Sequence, residues 1–270
     1  KRRKNWRMKN CLSQKRFNMH NNLKKFVIIT LPRSGSTVLV KTLDNHPQIF
    51  CAGELFYFQG KIYHTECQFP FWKIKILGNK INYLINFPNV VLRLRRFMNN
   101  FYNNQETGYK AVGFKMMYQH ILYMPGIMRY LEKNQVKIIL LTRKNILRNV
   151  LSDMKARESG VYHNETGSDQ HASKKLHVDL RLLSAKMKET EKWANKLESI
   201  AAGKNCLKID YADFVNWEEM TGNIFDFLGV HHAHIPPATE RLNSPVLENM
   251  IDNFEEVKNW ATKNGYAEMI

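Results

Sequence analysis

This chain holds little that would reinforce it covalently or with metal. Its 270 residues include four cysteines, Cys11, Cys51, Cys67 and Cys206. No two form a C-x-x-C pair and none stands at zinc-ligand spacing from a histidine, so neither a disulfide framework nor a zinc module is expected. Cys51 and Cys206 lie in strand-like runs and are expected to be buried thiols. That pattern suits a reducing cytosol. A cytoplasmic location is the expectation, with a secretory lumen and a removed anchor as the alternative. No apolar run approaches the roughly 18 residues that cross a bilayer. Lys, Asn and His interrupt the segment where a signal peptide would carry its apolar core. Internal repeats and low-complexity linkers are lacking too.

Acidic residues are also scarce: 24 Asp and Glu stand against 41 Lys and Arg, a formal charge of +17. Residues 1–25 hold ten of the basic residues and no acidic one. This basic arm reads either as a solvated leader or as a contact for nucleic acid or an anionic membrane surface. No recognition-helix pattern follows it. The whole chain is 44% apolar, and residues 26–270 are long enough for one well-buried domain.

Four β-like runs recur: Phe26–Leu31, Ala111–Lys115, Lys137–Thr142 and Cys206–Asp210. Helix-length segments alternate with them: 36–44, 117–134 with a break at Pro125-Gly126, 146–158, 179–199 with Asp179 as N-cap, and 217–228 stopped by Gly229. The run Lys137-Ile138-Ile139-Leu140-Leu141-Thr142 is almost wholly apolar, as a strand covered on both faces should be. The expectation is an α/β fold with a doubly wound parallel sheet flanked by helices. Ligands in such folds bind beyond the C-terminal strand ends. Two stretches break the alternation. Residues 56–104 read as an irregular, partly helical insertion and 159–177 as a mobile loop, either able to cover an acceptor.

The first strand runs into Leu31-Pro32-Arg33-Ser34-Gly35-Ser36-Thr37. A strand, a small-residue turn and a helix start present amide groups to an anion. This is not a Walker A loop, which reads G-x-x-x-x-G-K-[ST]. Thr30 stands at the first Gly position and Ser36 at the Lys position, and the charge has moved forward to Arg33. ATP and GTP are therefore disfavoured. A second constellation follows the third strand. Arg143 lies at its end and Ser152 about two and a half turns into the next helix. A cation and a hydroxyl there can converge on a second phosphate. Two phosphate sites at strand ends suit a nucleotide phosphorylated on both its 5′ and 3′ carbons.

On these motifs the chain resembles the sulfotransferases that use 3′-phosphoadenosine 5′-phosphosulfate (PAPS). Residues 31–37 look like their 5′-phosphosulfate loop, and Arg143 through Ser152 like their 3′-phosphate motif. The Arg-to-Ser spacing is similar to the bacterial-type branch, which includes Nod-factor and trehalose sulfotransferases and enzymes that sulfate natural products and toxins. Gly113-Phe114-Lys115-Met116-Met117 and Asp210-Tyr211-Ala212-Asp213-Phe214 also resemble recurring family segments. The resemblance implies a P-loop-like sulfotransferase fold over roughly residues 25–260. It implies PAPS as co-substrate, PAP as product and no metal. Donor contacts would come from Arg33, Ser34, Gly35, Ser36, Thr37, Arg143 and Ser152. Arg241 would stand in for the animal family's C-terminal Arg-Lys-Gly.

Sulfuryl transfer needs charge stabilised on the leaving phosphate and a base for a hydroxyl acceptor. Arg33 is placed for the first task. Glu54, flanked by Gly53 and apolar residues, is the first candidate for the second, since an apolar setting strengthens a carboxylate as a base; the resemblance supports it. His120 is the rival base. Lys115 reads either as a contact to the moving group or as a snorkelling strand-end lysine, and His46 as a helix cap. The acceptor is expected to be a small molecule or saccharide carrying a hydroxyl or amine. The aromatics Phe56, Tyr57, Phe58, Tyr63, Phe69, Phe71 and Trp72 would either stack on it or form a satellite core. Glu54, Glu66, Glu158 and Glu165 could suit a cationic one. The competing readings are a P-loop kinase and a polyanion or nucleic-acid module built on the arm.

Overall fold

The computed structural model describes residues 23–57, 67–69, 80–103 (backbone alone over 80–88), 108–159, 175–203, 205–238 and 246–270. Five parallel strands form its one described sheet: β1 (Lys24–Thr30), β2 (Ile49–Glu54), β3 (Ala111–Met117), β4 (Lys137–Thr142) and β5 (Cys206–Asp210). Their spatial order is β2-β3-β1-β4-β5. The chain first builds outward and back on one side of β1, then crosses to the other. The switch point lies between β1 and β4, where an open α/β sheet leaves a crevice.

The alternation of side chains sends each strand's residues to two cores. Val27, Ile29, Phe114, Met116, Ile138 and Leu140 pack under α2 (Lys80–Asn103), α4 (Ile127–Lys133) and the end of α6 (Leu180–Ala201). Phe26, Ile28, Cys51, Ile139, Leu141 and Ile209 pack under α1 (Ser36–Asp44) and α7 (Trp217–Leu228). A third cluster joins α5 (Ile146–Ser159), α6 and α8 (Phe254–Lys263) through Leu151, Met154, Leu183, Met187 and Val257. The short α3 (Tyr118–Tyr123) follows β3 directly. The break at Pro125-Gly126 separates α3 from α4, where Gly126 takes a left-handed φ of 80°. Asp179 caps α6 as expected, its Oδ1 accepting from the N–H groups of Arg181 and Leu182.

Two elements differ from the sequence reading. Ile49–Glu54 is a fifth strand, at the sheet edge, where one neighbour suffices and the sequence signal is short. Residues 80–103, within the stretch read as irregular and only partly helical, form a 24-residue helix. Asn residues and Pro88 weaken its propensity. Leu94, Met98, Phe101 and Tyr102 are nevertheless buried against the sheet, and tertiary burial outweighs propensity. Phe56 and Phe69 are core residues too, so here the satellite-core reading applies. Phe58, Tyr63, Phe71, Trp72, Glu66, Glu165, Arg241 and most of residues 1–25 and 159–177 lie outside the described residues. Cys51 is buried and its thiol is pushed well up by desolvation, whereas Cys206 is only half-buried.

Gly113 in β3 has no room for a side chain. A Cβ there would lie 2.5 Å from the Phe26 ring, which fills its space. Gly113→Ala should therefore cost about 1–3 kcal/mol through overpacking, read as a lower urea midpoint with unchanged slope.

Candidate active site

The loop after β1 has two residues in the left-handed region, Arg33 (φ 62°) and Gly35 (φ 80°). Arg33 carries a Cβ, so its conformation is strained unless neighbours hold it. They do. The Pro32 carbonyl accepts a hydrogen bond from Asn149 Nδ2 at 2.8 Å, and the Arg33 carbonyl accepts one from Arg143 at 3.1 Å. Asn149 Nδ2 also reaches Ser34 Oγ at 3.4 Å. Arg33 Nε donates to Ser152 Oγ at 3.1 Å. Consecutive carbonyls are thus drawn toward β4 and α5. Gly35 caps α1 and has no side chain of its own to bond the first-turn amides of α1. An anion-binding turn needs both features.

The structure therefore brings Arg33, Ser34, Gly35, Ser36 and Thr37 together with Arg143 and Ser152, across the β1/β4 switch point. Asn149 and Ser152 are one turn apart on α5 and face the same loop. Asn149 had no role in the sequence reading; its spacing from Ser152 was the available signal. Tyr211 and Phe214 were also missed as site residues, although their segment was singled out. The Arg143 guanidinium lies 4.6 Å from the Tyr211 ring centre. Both rings approach to 2.8 Å of where a Gly35 Cβ would lie. Position 35 thus needs glycine for its φ and for this packing. Asp210 fixes the supporting turn by accepting from the N–H groups of Lys144 (2.8 Å) and Ala212 (2.9 Å).

On the other side of β1, Glu54 ends β2 and Lys115 lies near the C-terminal end of β3. The β2/β3 register shifts between Ala52 and Glu54, so Gly53 is the extra residue and Glu54 stands opposite Lys115. Such a bulge re-aims a side chain. Lys115 Nζ lies 2.8 Å from Glu54 Oε1, and His120 Nε2 lies 3.6 Å from Oε2. Glu54 is thus held between a cation and an imidazole, which corrects the expectation of an apolar setting. His120 is buried, and its Nδ1 accepts the Met117 N–H at 3.1 Å. That bond assigns the ring proton to Nε2, toward Glu54. Burial chiefly, with help from Lys115, pushes the His120 pKa down to about 4 against the pull of Glu54. Its one basic nitrogen is occupied by the backbone. His46 is a buried structural residue whose Nδ1 accepts from Gln48 N–H and whose Nε2 meets the His231 carbonyl at 2.8 Å.

Two outcomes follow from this geometry. Asn149→Ala leaves the Pro32 carbonyl without its donor and should cost about 1–3 kcal/mol in urea unfolding. His120 stays neutral in the fold down to about pH 4, while the unfolded chain's imidazole protonates near pH 6.5. This group's contribution is therefore complete above pH 6.5 and lost as pH falls toward 4, by up to about 3 kcal/mol. His120→Asn should lose less stability between pH 7 and 5 than the parent; equal losses would mean that His120 titrates normally.

Comparison with known proteins places this arrangement. Among solved structures, a sulfotransferase from Alicyclobacillus acidocaldarius is 15% identical, with 91% of this chain and 94% of that one covered at a TM-score of 0.46. The sulfotransferase domain of the Synechococcus PCC 7002 olefin synthase is 15% identical, with 94% and 99% covered at 0.45. A mouse sulfotransferase complexed with PAP is 12% identical, with 87% and 66% covered at 0.43. A comparison with curated proteins gives no match. The model of the sulfotransferase family matches residues 26–234, a span that holds both strand-end constellations, and the chain belongs to that family.

Proposed function

We propose that this sulfotransferase takes its sulfuryl group from PAPS and passes it to a hydroxyl or amine of a small-molecule or saccharide acceptor, releasing PAP. The observation that carries the reading is the junction of two anion-binding elements at one switch point. The amides of α1 and Arg33 lie on one side, and Arg143 and Ser152 on the other. Two groups of donors at one crevice suit the charge of a nucleotide phosphorylated on both its 5′ and 3′ carbons. PAPS supplies an activated sulfur whose bond to the 5′-phosphate oxygen breaks as the acceptor attacks.

The chain's own groups divide the remaining work. The first-turn amides of α1, with Ser36 and Thr37, hold the 5′-phosphate group and favour the charge that collects there on departure. Arg143 and Ser152 hold the 3′-phosphate, and Tyr211 supports the Arg143 guanidinium from its ring face. Arg33 bridges the two, since its side chain reaches Ser152 while its backbone shapes the loop. Glu54 takes the acceptor's proton. Lys115 holds Glu54 in place and offers its charge to the moving group. His120, its lone pair spent on Met117, orients the carboxylate rather than acting as base. Arg241 is kept as a further 3′-phosphate contact on the strength of the resemblance alone.

Calorimetric titration with PAP, beside ADP and without magnesium, tests the donor assignment. PAP should bind roughly 10- to 100-fold more tightly than ADP, and Arg143→Ala should remove most of that difference. Equal binding of the two nucleotides would discard the reading. Glu54→Gln should lower turnover by about 10²- to 10⁴-fold with PAP affinity unchanged; full activity would remove Glu54 as base.

A further inference from the structure

One face of the fold gathers positive charge away from the crevice. The helix α2 carries no Asp or Glu. Its Leu94, Met98, Phe101 and Tyr102 turn to the sheet, which leaves Arg93, Arg95 and Arg96 exposed on its outer side. The helix α4 lies alongside, since the Tyr130 hydroxyl donates to Asn99 Oδ1 at 2.8 Å. It adds the exposed Arg129 and Lys133 against the single carboxylate of Glu132.

The surface continues onto the starts of the strands. Lys110 directly precedes β3, and Lys24 and Lys137 open β1 and β4, three adjacent strands. The Lys24 N–H donates to the Lys110 carbonyl at 2.9 Å, and Lys25 Nζ lies 5.4 Å from the ring centre of Tyr102 on α2. Like charges are held close here. Burial chiefly, and then the Lys24 charge, push the Lys137 pKa down. Lys110 Nζ meets an imidazole, His231 Nε2, at 3.4 Å. Asp226, near the end of the neighbouring α7, is paired with His232. Residues 1–23, which lead into β1, bring eight more Lys and Arg and no Asp or Glu. Such a grouping favours an anionic partner.

Two features choose a lipid bilayer over a nucleic acid. Recognition of nucleic acid uses exposed aromatic rings or an element set into a groove. The described aromatic residues of α2 turn inward instead: Phe97 packs on Phe56 and Phe69, and Phe101 on Phe114. The exposed large apolar residue among the described side chains of α2 and α4 is the aliphatic Leu92. Arg95 and Arg96 follow it by three and four residues and share its face of the helix. Cations around an aliphatic side chain, on the flank of a packed helix, suit lipid phosphates above acyl chains.

We propose that the outer side of α2 and α4, with the starts of β1, β3 and β4, docks the protein on an anionic lipid bilayer. Because the strands are parallel, the crevice lies at their other ends and stays uncovered. Docking of this kind is independent of the donor assignment.

Co-sedimentation of the full chain with vesicles tests the proposal. Vesicles of equal parts phosphatidylcholine and phosphatidylserine should carry the protein down, and vesicles of phosphatidylcholine alone should not. Arg95→Gln with Arg96→Gln should weaken the partition roughly twentyfold or more, about fivefold for each cation withdrawn, with the urea midpoint unchanged. Leu92→Ala should weaken it roughly threefold at constant charge. Lys258→Gln with Lys263→Gln removes the same charge from the exposed side of α8 and should change it less than about twofold. Equal losses in the two double variants, a Leu92→Ala variant that binds as the parent does, no preference for phosphatidylserine, or tighter binding to duplex DNA at equal phosphate concentration would overturn the proposal.

Discussion

Two backbone carbonyls tied down from α5 and the end of β4 are the constraint on which this site depends. The loop can aim its amides at a phosphate only if the oxygens of Pro32 and Arg33 have partners elsewhere. Asn149 and Arg143 supply them, from α5 and the end of β4. Left unpaired, those oxygens would be buried polar groups or would face the ligand's negative charge. The same bonds hold Arg33 in a left-handed conformation that its side chain disfavours. The motif that looks local is therefore completed by a strand 111 residues downstream, as the Thr30 hydroxyl's bond to the Leu141 carbonyl also shows.

That dependence couples the two elements proposed to hold phosphates. Arg143 both shapes the first loop and carries the charge of the second, and Tyr211 packs against the Arg143 guanidinium and the Gly35 backbone together. A change at any one of these positions is felt at the others, so single-site effects here should not add. The Glu54, Lys115 and His120 cluster stands apart, on the far side of β1. Its geometry depends on one extra residue in an edge strand. Without the bulge at Gly53, the strand pairing would set Gly53 across from Lys115 and carry Glu54 one position further along. The bulge thus sets the partnership that the proposed mechanism uses.

Much of the framework was legible because its signals are local. The apolar run 137–142 and the strand-loop-helix at 26–44 carry their own patterns, and the observed elements β4, β5, α1 and α7 match the expected bounds. Where a signal was weak or non-local, the reading fell short. β2 is a short edge strand, and α2 is helical despite Pro88 because its buried face packs on the sheet. Asn149 was passed over: its spacing from Ser152 placed it on the right face of α5, but nothing along the chain says that a proline carbonyl 117 residues away needs a donor. The surroundings expected for Glu54 were misjudged. The residues beside it in sequence are apolar, while those beside it in space are Lys115 and His120.

The sequence by itself determined the kinds of group available and where some of them stand: a small-residue turn after the first strand, a basic residue at the end of the run 137–142, and a carboxylate and a lysine whose partnership it left open. Short-range sterics and periodicity decide those features, and both are written in consecutive residues. Only the tertiary structure decided which groups meet. The strand order set the loop after β1 and the end of β4 on either side of the β1/β4 crevice, the bulge set Glu54 against Lys115, and burial with one backbone bond left His120 without a free basic nitrogen. The reason is physical: hydrogen bonding, desolvation and charge pairing act over a few ångströms of space, and folding chooses which residues share that space.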